Sequence, residues 1–551
     1  MKYFNINQAQ LFYSFTLPVK EKQKIDGIQA LLEKSGVAEL LLNIDETPSR
    51  MGRPEYDRCL LFFATVLGFA YGFTSLRELE SSFRYDIRFL YLFGDQVPDH
   101  STLSRFINET VKPNEREIFT CIMKVLLQEM GVTNDVVFID GTKQQAKSNK
   151  NKFVWKPITF HERLTEKSRN LLDVMGLGKD VPSTGLIKSE LLVKKLEEAE
   201  EKSPEELNAT EKAYSKMKSN LAGYLFKALE YEEKERICGN NRNSYYKTDH
   251  DATAMCLKQD YYSGLGSNMH AAYSVQLIVS SGLVSCYWVN QKRTDLYAFT
   301  PTLDIFHAMY GKYPKKIGAD AGYGCTVNYK YCEMHGIEAF IKYQDWEGEK
   351  SGRRPAAYEL REDGTIICLG GRIGKKVSIP DRHPRRKGAV FYLVEGCMGC
   401  PYMTYCRRYQ KELVGQDKIF EVNPEFQKYK IKARDLLLSP EGIEMRVNRS
   451  CQVEGAFGMI KQDMEYTRFR RTSLPKVSTE FMLTCLGFNM RKYMRFLAGE
   501  SNMKYWIAPK DLEPEIFRKP SAKRLTNRVI KKKSKQPNEI ARDSYKYKHK
   551  C

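Results

Sequence analysis

The stretch Val136-Val137-Phe138-Ile139-Asp140-Gly141-Thr142-Lys143 decides how this chain folds. Four apolar residues, mostly β-branched or aromatic, fit a strand buried on both faces. A carboxylate then stands at its carboxyl end, with a glycine behind it. An ionised Asp at the mouth of a core strand needs a cation or a hydrogen-bond network to keep its charge, which makes Asp140 a candidate metal ligand. Taken alone, the segment reads as a strand that ends in an Asp-Gly turn. A second segment, Lys316-Ile317-Gly318-Ala319-Asp320 running into Ala321-Gly322-Tyr323-Gly324, repeats the pattern 180 residues later. The two aspartates face each other if their strands are neighbours in one sheet, and a third acid then completes a site for two divalent ions, which take oxygen ligands.

That third acid is sought in Arg446-Val447-Asn448-Arg449-Ser450-Cys451-Gln452-Val453-Glu454-Gly455-Ala456-Phe457-Gly458-Met459-Ile460-Lys461. Val453, Phe457, Ile460 and Met464 recur at helical spacing and predict a core-facing stripe. Glu454 lies at the edge of that stripe, and Lys461, two turns on, lies on nearly the same side. Alone, this is an amphipathic helix with a solvated Glu and Lys.

Together the three segments, VVFIDGTK, KIGADAGYG and RSCQVEGAFGMIK, resemble the catalytic core of insertion-sequence DDE transposases. The resemblance implies an RNase H-like α/β domain, a mixed sheet flanked by helices. Asp140, Asp320 and Glu454 would be the catalytic acids and the ligands of two Mg²⁺ ions, with Mn²⁺ able to substitute. The seven-residue offset from Glu454 to Lys461 is similar to one half of the signature of a cut-and-paste branch. The other half departs from it: Val447 and Ser450 stand where that branch carries Tyr and Arg, with Arg446 and Arg449 nearby. The looser resemblance covers about 60 to 500, including a helical amino-terminal region.

A chain of 551 residues implies three or four structural units, or a core with large insertions. Its 88 Lys and Arg against 68 Asp and Glu leave a formal charge of +20, so a polyanionic partner is expected. No apolar run of ~18 residues and no leader pattern is evident, and 14 mostly scattered cysteines fit reduced thiols. The expected setting is the bacterial cytoplasm, at the nucleoid, without a membrane partner.

Residues 1–130 read as an all-α domain for DNA binding or dimerisation. Within it, His100-Ser101-Thr102-Leu103-Ser104-Arg105-Phe106 has capping residues at its start and offers Arg105, with Arg84 and Arg88, to DNA. Residues 131–500 form the catalytic domain, with a helical insertion at about 160–240 and a β-rich one at 343–440. Within the first, Ser203-Pro204-Glu205-Glu206 is a helix start, followed by the stripe Tyr214, Met217, Leu221, Tyr224 or Leu225 and Ala228. Between Asp140 and this insertion, Lys143, Lys147, Lys150, Lys152 and Lys156 with Trp155 suit a loop that follows a phosphate backbone and stacks on an unpaired base. His270 to Ser280 and Leu283 to Asn290, split by Ser281-Gly282, predict a β-hairpin. Asp295 reads as structural or as a helix cap.

In the β-rich insertion, Cys397, Cys400 and Cys406 form C-x₂-C-x₅-C, and with Cys368 they are candidate zinc ligands. Arg372, Lys375, Lys376, Arg382, Arg385, Arg386 and Lys387 offer a DNA-gripping surface there. From Lys519 onward, 12 Lys and Arg face only Glu539 and Asp543, so residues 501–551 are expected to be a basic, largely disordered tail. The function implied is a transposase that binds terminal inverted repeats as a homodimer, cleaves DNA and joins its 3′-hydroxyl ends to a target. Two other readings stay open: an RNase H-like nuclease that does not join, and a transposase-derived regulator that binds without cutting.

Overall fold

Strand β1, Val136–Gln145, carries the segment quoted above, and Val137, Phe138 and Ile139 are fully buried. The computed structural model describes residues 17–42, 55–94, 96–201, 210–240, 242–258, 260, 263, 268–380, 383–408, 417–500 and 513–533. Strand β2 is Met269–Ser280 and β3 is Leu283–Asn290, antiparallel to each other. The hairpin is the one expected from Ser281-Gly282. Both turn residues have positive φ, 46° and 78°, as a two-residue turn of matching twist requires. Strands β4, Lys316–Ala319, and β5, Glu338–Ile341, follow after the helix Phe299–Tyr310. Five of the six strands of this sheet lie in the order β3-β2-β1-β4-β5, and the sixth, Thr253–Cys256, also pairs with β2, while β1, β4 and β5 are parallel. The fold is mixed α/β with a mixed sheet, as the sequence predicts.

One detail of β1 departs from expectation: the strand does not end at Asp140 but runs five residues further, to Gln145. Its parallel register with β4 ends at Phe138 opposite Gly318. Asp140 thus lies beyond the stretch of β1 paired with β4.

Contacts divide the chain into two compact units, residues 1–145, 256–268 and 273–551, and residues 146–255 with 269–272. In the first unit the amino-terminal helices are built onto the sheet. The helix Arg58–Tyr71 is buried over most of its length and crosses Leu474–Leu497 so closely that a Cβ on Gly487 would stand 2.6 Å from the Phe69 carbonyl carbon. Asn489, on that second helix, accepts from Val284 N and donates to Val284 O, both at 2.9 Å. A buried side-chain amide so completes the hydrogen bonding of strand β3, which would otherwise leave backbone groups unpaired in the core. No single described helix is long and apolar enough to cross a membrane, and the bent pair Arg58–Tyr71 and Leu76–Tyr85 passes that test only jointly.

The second unit holds the helices Ile158–Val174, Ser189–Glu201 and Glu211–Cys238. Tyr214, Leu221 and Ala228 are buried as their spacing predicts, with Met217 packed beside them. The expected helix start at Ser203 to Glu206 lies outside the described residues, and the described helix begins behind Thr210, which caps Ala213 N.

The β-rich insertion is a five-stranded antiparallel meander of Tyr358–Leu360, Ile366–Cys368, Ile373–Val377, Val390–Val394 and Lys418–Val422. Ile366, Tyr392, Val394, Phe420 and Val422 give it an apolar core of its own. Part of the expected disordered tail is instead ordered: Ala522–Lys533 is a helix whose Leu525 and Val529 are buried against Tyr405. Two apolar residues four apart make one helix face, which a reading based on charge passes over. Residues 501–512 and 534–551 lie outside the described residues.

Candidate active site

Alternation along β1 sorts its residues onto two faces. Asp140, Thr142 and Gln144 look toward the segment after Arg449. Lys461 Nζ donates to Thr142 Oγ1 at 2.6 Å, and Gln144 Nε2 donates to Tyr466 O at 3.1 Å. Gly141 and Lys143 look the other way, toward β2. Lys143 Nζ donates to Ser274 Oγ at 2.8 Å and to Asp295 Oδ1 at 2.9 Å, and Gln276 Nε2 donates to the same Asp295 oxygen at 2.9 Å. The Tyr323 hydroxyl closes the network by donating to Gln276 Oε1. A Cβ on Gly141 would lie 2.3 Å from Gln276 Nε2 and 2.7 Å from Asp295 Oδ1, so only glycine leaves room for this network beside Asp140.

Lys143 therefore does not lie on a loop. It is a strand residue, 15 % exposed, paired with Asp295. Asp295 in turn is not a cap, since Thr294 caps the turn Asp295–Tyr297. Sequence reasoning missed this pair, although one signal was available: with period two, Gly141 and Lys143 must share the face opposite Asp140.

Asp320 sits just past the end of β4 and accepts from Gly322 N at 2.8 Å. Its charge acts on Asp140, which is 18 % exposed. Burial first, and then Asp320, pushes the Asp140 carboxyl up to about 7, because a desolvated carboxylate beside a like charge is disfavoured. Burial likewise raises Asp320. Glu454 reaches this pair through a cation. Arg449 Nη1 donates to Asp140 Oδ2 at 3.4 Å and Nη2 to Glu454 Oε1 at 2.9 Å, while Ser450 Oγ donates to Glu454 Oε2 at 3.1 Å. Burial holds the Lys461 ammonium down at about 8.

The Glu454 helix has the expected apolar stripe, with Val453, Phe457, Ile460 and Met464 buried. It is not a regular α-helix, however: Ser450–Glu454 and Met459–Asp463 are π-helical turns flanking Gly455–Gly458. In a π turn residue i aligns with i+5 rather than i+4. Arg449, five residues before Glu454, thereby takes the place that a residue four before would hold on an α-helix.

The other expected DNA contacts are scattered. Arg446 pairs with Glu515 at 2.5 Å and lies over the Trp346 ring. Arg88 likewise pairs with Asp86 and stacks on Tyr71 at 3.5 Å. Arg105 is exposed on its helix, whose first residue His100 is tied to Glu80 at 2.7 Å. Lys147 and Trp155 are exposed in the second unit, where Trp155 meets Phe153 edge-on. Lys375, Lys376, Arg385, Arg386 and Lys387 are exposed on the meander, and Arg382 lies outside the described residues.

Cys368, Cys397, Cys400 and Cys406 line one cavity of about 20 Å³ together with Arg372, Arg407 and Lys418, and no carboxylate lines it. Arg372 N donates to Cys368 Sγ at 3.4 Å, and burial pushes the Cys406 thiol up to about 11. Among the described residues, no three His, Cys, Asp or Glu side chains are drawn together closely enough to hold a metal ion as they stand. The acids and the thiols alike would have to close in around one.

The raised Asp140 carboxyl has a measurable effect. The carboxyl keeps its proton below about pH 7, so any divalent cation held there would have to displace that proton. Mn²⁺ affinity should rise about tenfold per pH unit up to ~7 and level off above it, as calorimetric titration at a series of pH values would show. The stability sign runs the other way: the folded state holds the proton more tightly than the unfolded one. This contribution is full below the unfolded value near 3.8 and is lost as pH rises through about 7.

Residues 18–109 match a family model described as Transposase domain (DUF772), and residues 368–494 match one described as Transposase DDE domain. The second span takes in the four cysteines, Arg449, Glu454 and Lys461, while Asp140 and Asp320 lie outside both. No curated protein and no solved structure matches the chain. These two matches, one at each end of the chain, indicate an insertion-sequence DDE transposase.

Proposed function

We propose that this chain binds the terminal inverted repeats of its element, as a homodimer, cuts the DNA strands there and joins the freed 3′-hydroxyl ends to target DNA. Its sheet order and parallel β1, β4 and β5 support an RNase H-like core. The observation that carries the proposal is the placing of Asp140 just beyond the paired stretch of β1 and of Asp320 just past the end of β4, with Glu454 joined to Asp140 through one guanidinium. Hard oxygen donors around a point already held by a cation fit a divalent ion such as Mg²⁺.

Asp140, Asp320 and Glu454 would hold two such ions. Bound there, the ions would supply Lewis acidity that activates water for cleavage and then the 3′-hydroxyl for joining. Lys461, anchored on Thr142, orients a substrate phosphate. The Asp295–Lys143 pair fixes the face of β1 behind Asp140. Arg105, Lys147, Trp155 and the exposed Lys and Arg of the meander supply backbone contacts to DNA, which suits a protein working at the nucleoid.

The test is a labelled duplex carrying the element end, incubated with full-length protein, Mg²⁺ and a target plasmid. Cleavage followed by transfer of label to the plasmid is expected. Cleavage that never leads to joining would leave a nuclease, and specific binding without any cut would leave a regulator.

The cysteine cavity carries a smaller proposal, a zinc ion. Four thiols facing three cations with no carboxylate suit thiolates that share a soft cation, whose complex would offset the surrounding positive charge. Metal analysis of the purified protein should find about one zinc per chain, lost in Cys397→Ser. Zinc-free protein with four alkylatable thiols would refute it.

A further inference from the structure

Arg449 stands in an unusual place for a structural arginine. Its guanidinium lies between Asp140 and Glu454, and its side chain is 12 % exposed. Yet its Nε is buried with no hydrogen-bond partner, and its 3.4 Å contact with Asp140 is long for a charge-assisted bond. An arginine built in for stability normally uses its donors more fully. The π turn Ser450–Glu454 brings it here, where its one guanidinium reaches both acids.

Gathered carboxylates need a counter-charge whether or not a metal is bound, because like charges brought together out of water repel strongly. We propose that Arg449 is an internal counter-cation: it occupies the place of a divalent ion between Asp140 and Glu454, and it yields that place when the ion enters, turning its guanidinium to a DNA phosphate. The inference rests on the reading of these acids as metal ligands. Two cations cannot share one pair of carboxylates without repulsion, so Arg449 opposes metal entry in the free protein. A phosphodiester offers a guanidinium a partner of matching geometry, and DNA therefore removes the opposition. The device would keep the site poorly loaded until substrate arrives.

The experiment is a Mn²⁺ titration of the full-length protein at pH 8, with free Mn²⁺ read by electron paramagnetic resonance. It is run without DNA and with a duplex that carries no element end. Arg449→Gln should bind Mn²⁺ about tenfold more tightly than wild type without DNA. Wild type should gain a similar factor when the duplex is added, and Arg449→Gln should gain little. Arg449→Lys keeps the charge and should stay near wild type. If Arg449→Gln does not fold, Arg449→Met replaces it with the same expectation. A folded, charge-free variant that binds Mn²⁺ no more tightly than wild type overturns the inference.

Asp140→Asn is titrated in parallel and should lose the site. If it binds Mn²⁺ as wild type does, the metal reading itself fails. If Asp140→Asn loses the site but Arg449→Gln leaves affinity unchanged, only the counter-cation inference fails.

Discussion

Asp140→Asn is expected to lower DNA strand cleavage by at least on the order of 10³-fold while leaving DNA binding intact. The substitution keeps the side-chain volume, so β1 and its register with β4 over Val136 to Phe138 persist. What disappears is the negative charge that faces Arg449 and lies beside Asp320. The same change should leave the melting temperature equal or slightly higher at pH 8. Burial already disfavours the ionised carboxylate, and a neutral amide relieves that penalty. Loss of activity with retained or increased stability marks a residue kept for chemistry rather than for folding. A variant that still cuts an element-end duplex at a tenth of the wild-type rate or more would remove Asp140 from the site.

The second large effect is expected from a residue with no side chain. Gly141→Ala should lower cleavage by about 10²-fold without removing any acid, because catalytic geometry tolerates displacements of only about 1 Å. The new methyl carbon would meet Gln276 Nε2 at 2.3 Å and Asp295 Oδ1 at 2.7 Å. Neither can step aside freely. Gln276 is fully buried and held by Asp295 and Tyr323, and Asp295 is held by Lys143. The strain is passed to β1, one residue from Asp140. Single-turnover cleavage and urea unfolding separate the two consequences: a stability loss of about 1–3 kcal/mol is expected for such overpacking, too little to account for the activity by unfolding. Unchanged single-turnover cleavage would mean that the network behind Asp140 has no part in placing it.

Much of this arrangement is legible from residue patterns. The β2–β3 hairpin follows from alternation around Ser281-Gly282, the strand leading into Asp320 from a short apolar run, and the buried face of the Glu454 helix from the spacing of Val453, Phe457, Ile460 and Met464. The interval between Ile341 and the Glu454 helix is longer than a plain loop in a compact core, which is why an inserted unit is expected there. Each of these rests on burial, which acts residue by residue with the period of the local backbone. The order of the tail residues at Leu525 and Val529 was missed because positive charge dominates their neighbourhood and only packing against Tyr405 reveals their face.

By itself, then, the amino-acid order determined which segments become strands and helices, where the three acids stand along them and the chain's excess of positive charge. Only the tertiary structure decided which charge meets which. Arg449 rather than Arg446 reaches Glu454 because a π turn shifts the helix by one residue, and Arg446 is claimed by Glu515. Lys143 is held by Asp295, 152 residues away, instead of by solvent. The reason is physical: apolar periodicity is a local property read along one element, whereas an ion pair is chosen by distance and desolvation among groups that the chain brings together from anywhere along its length.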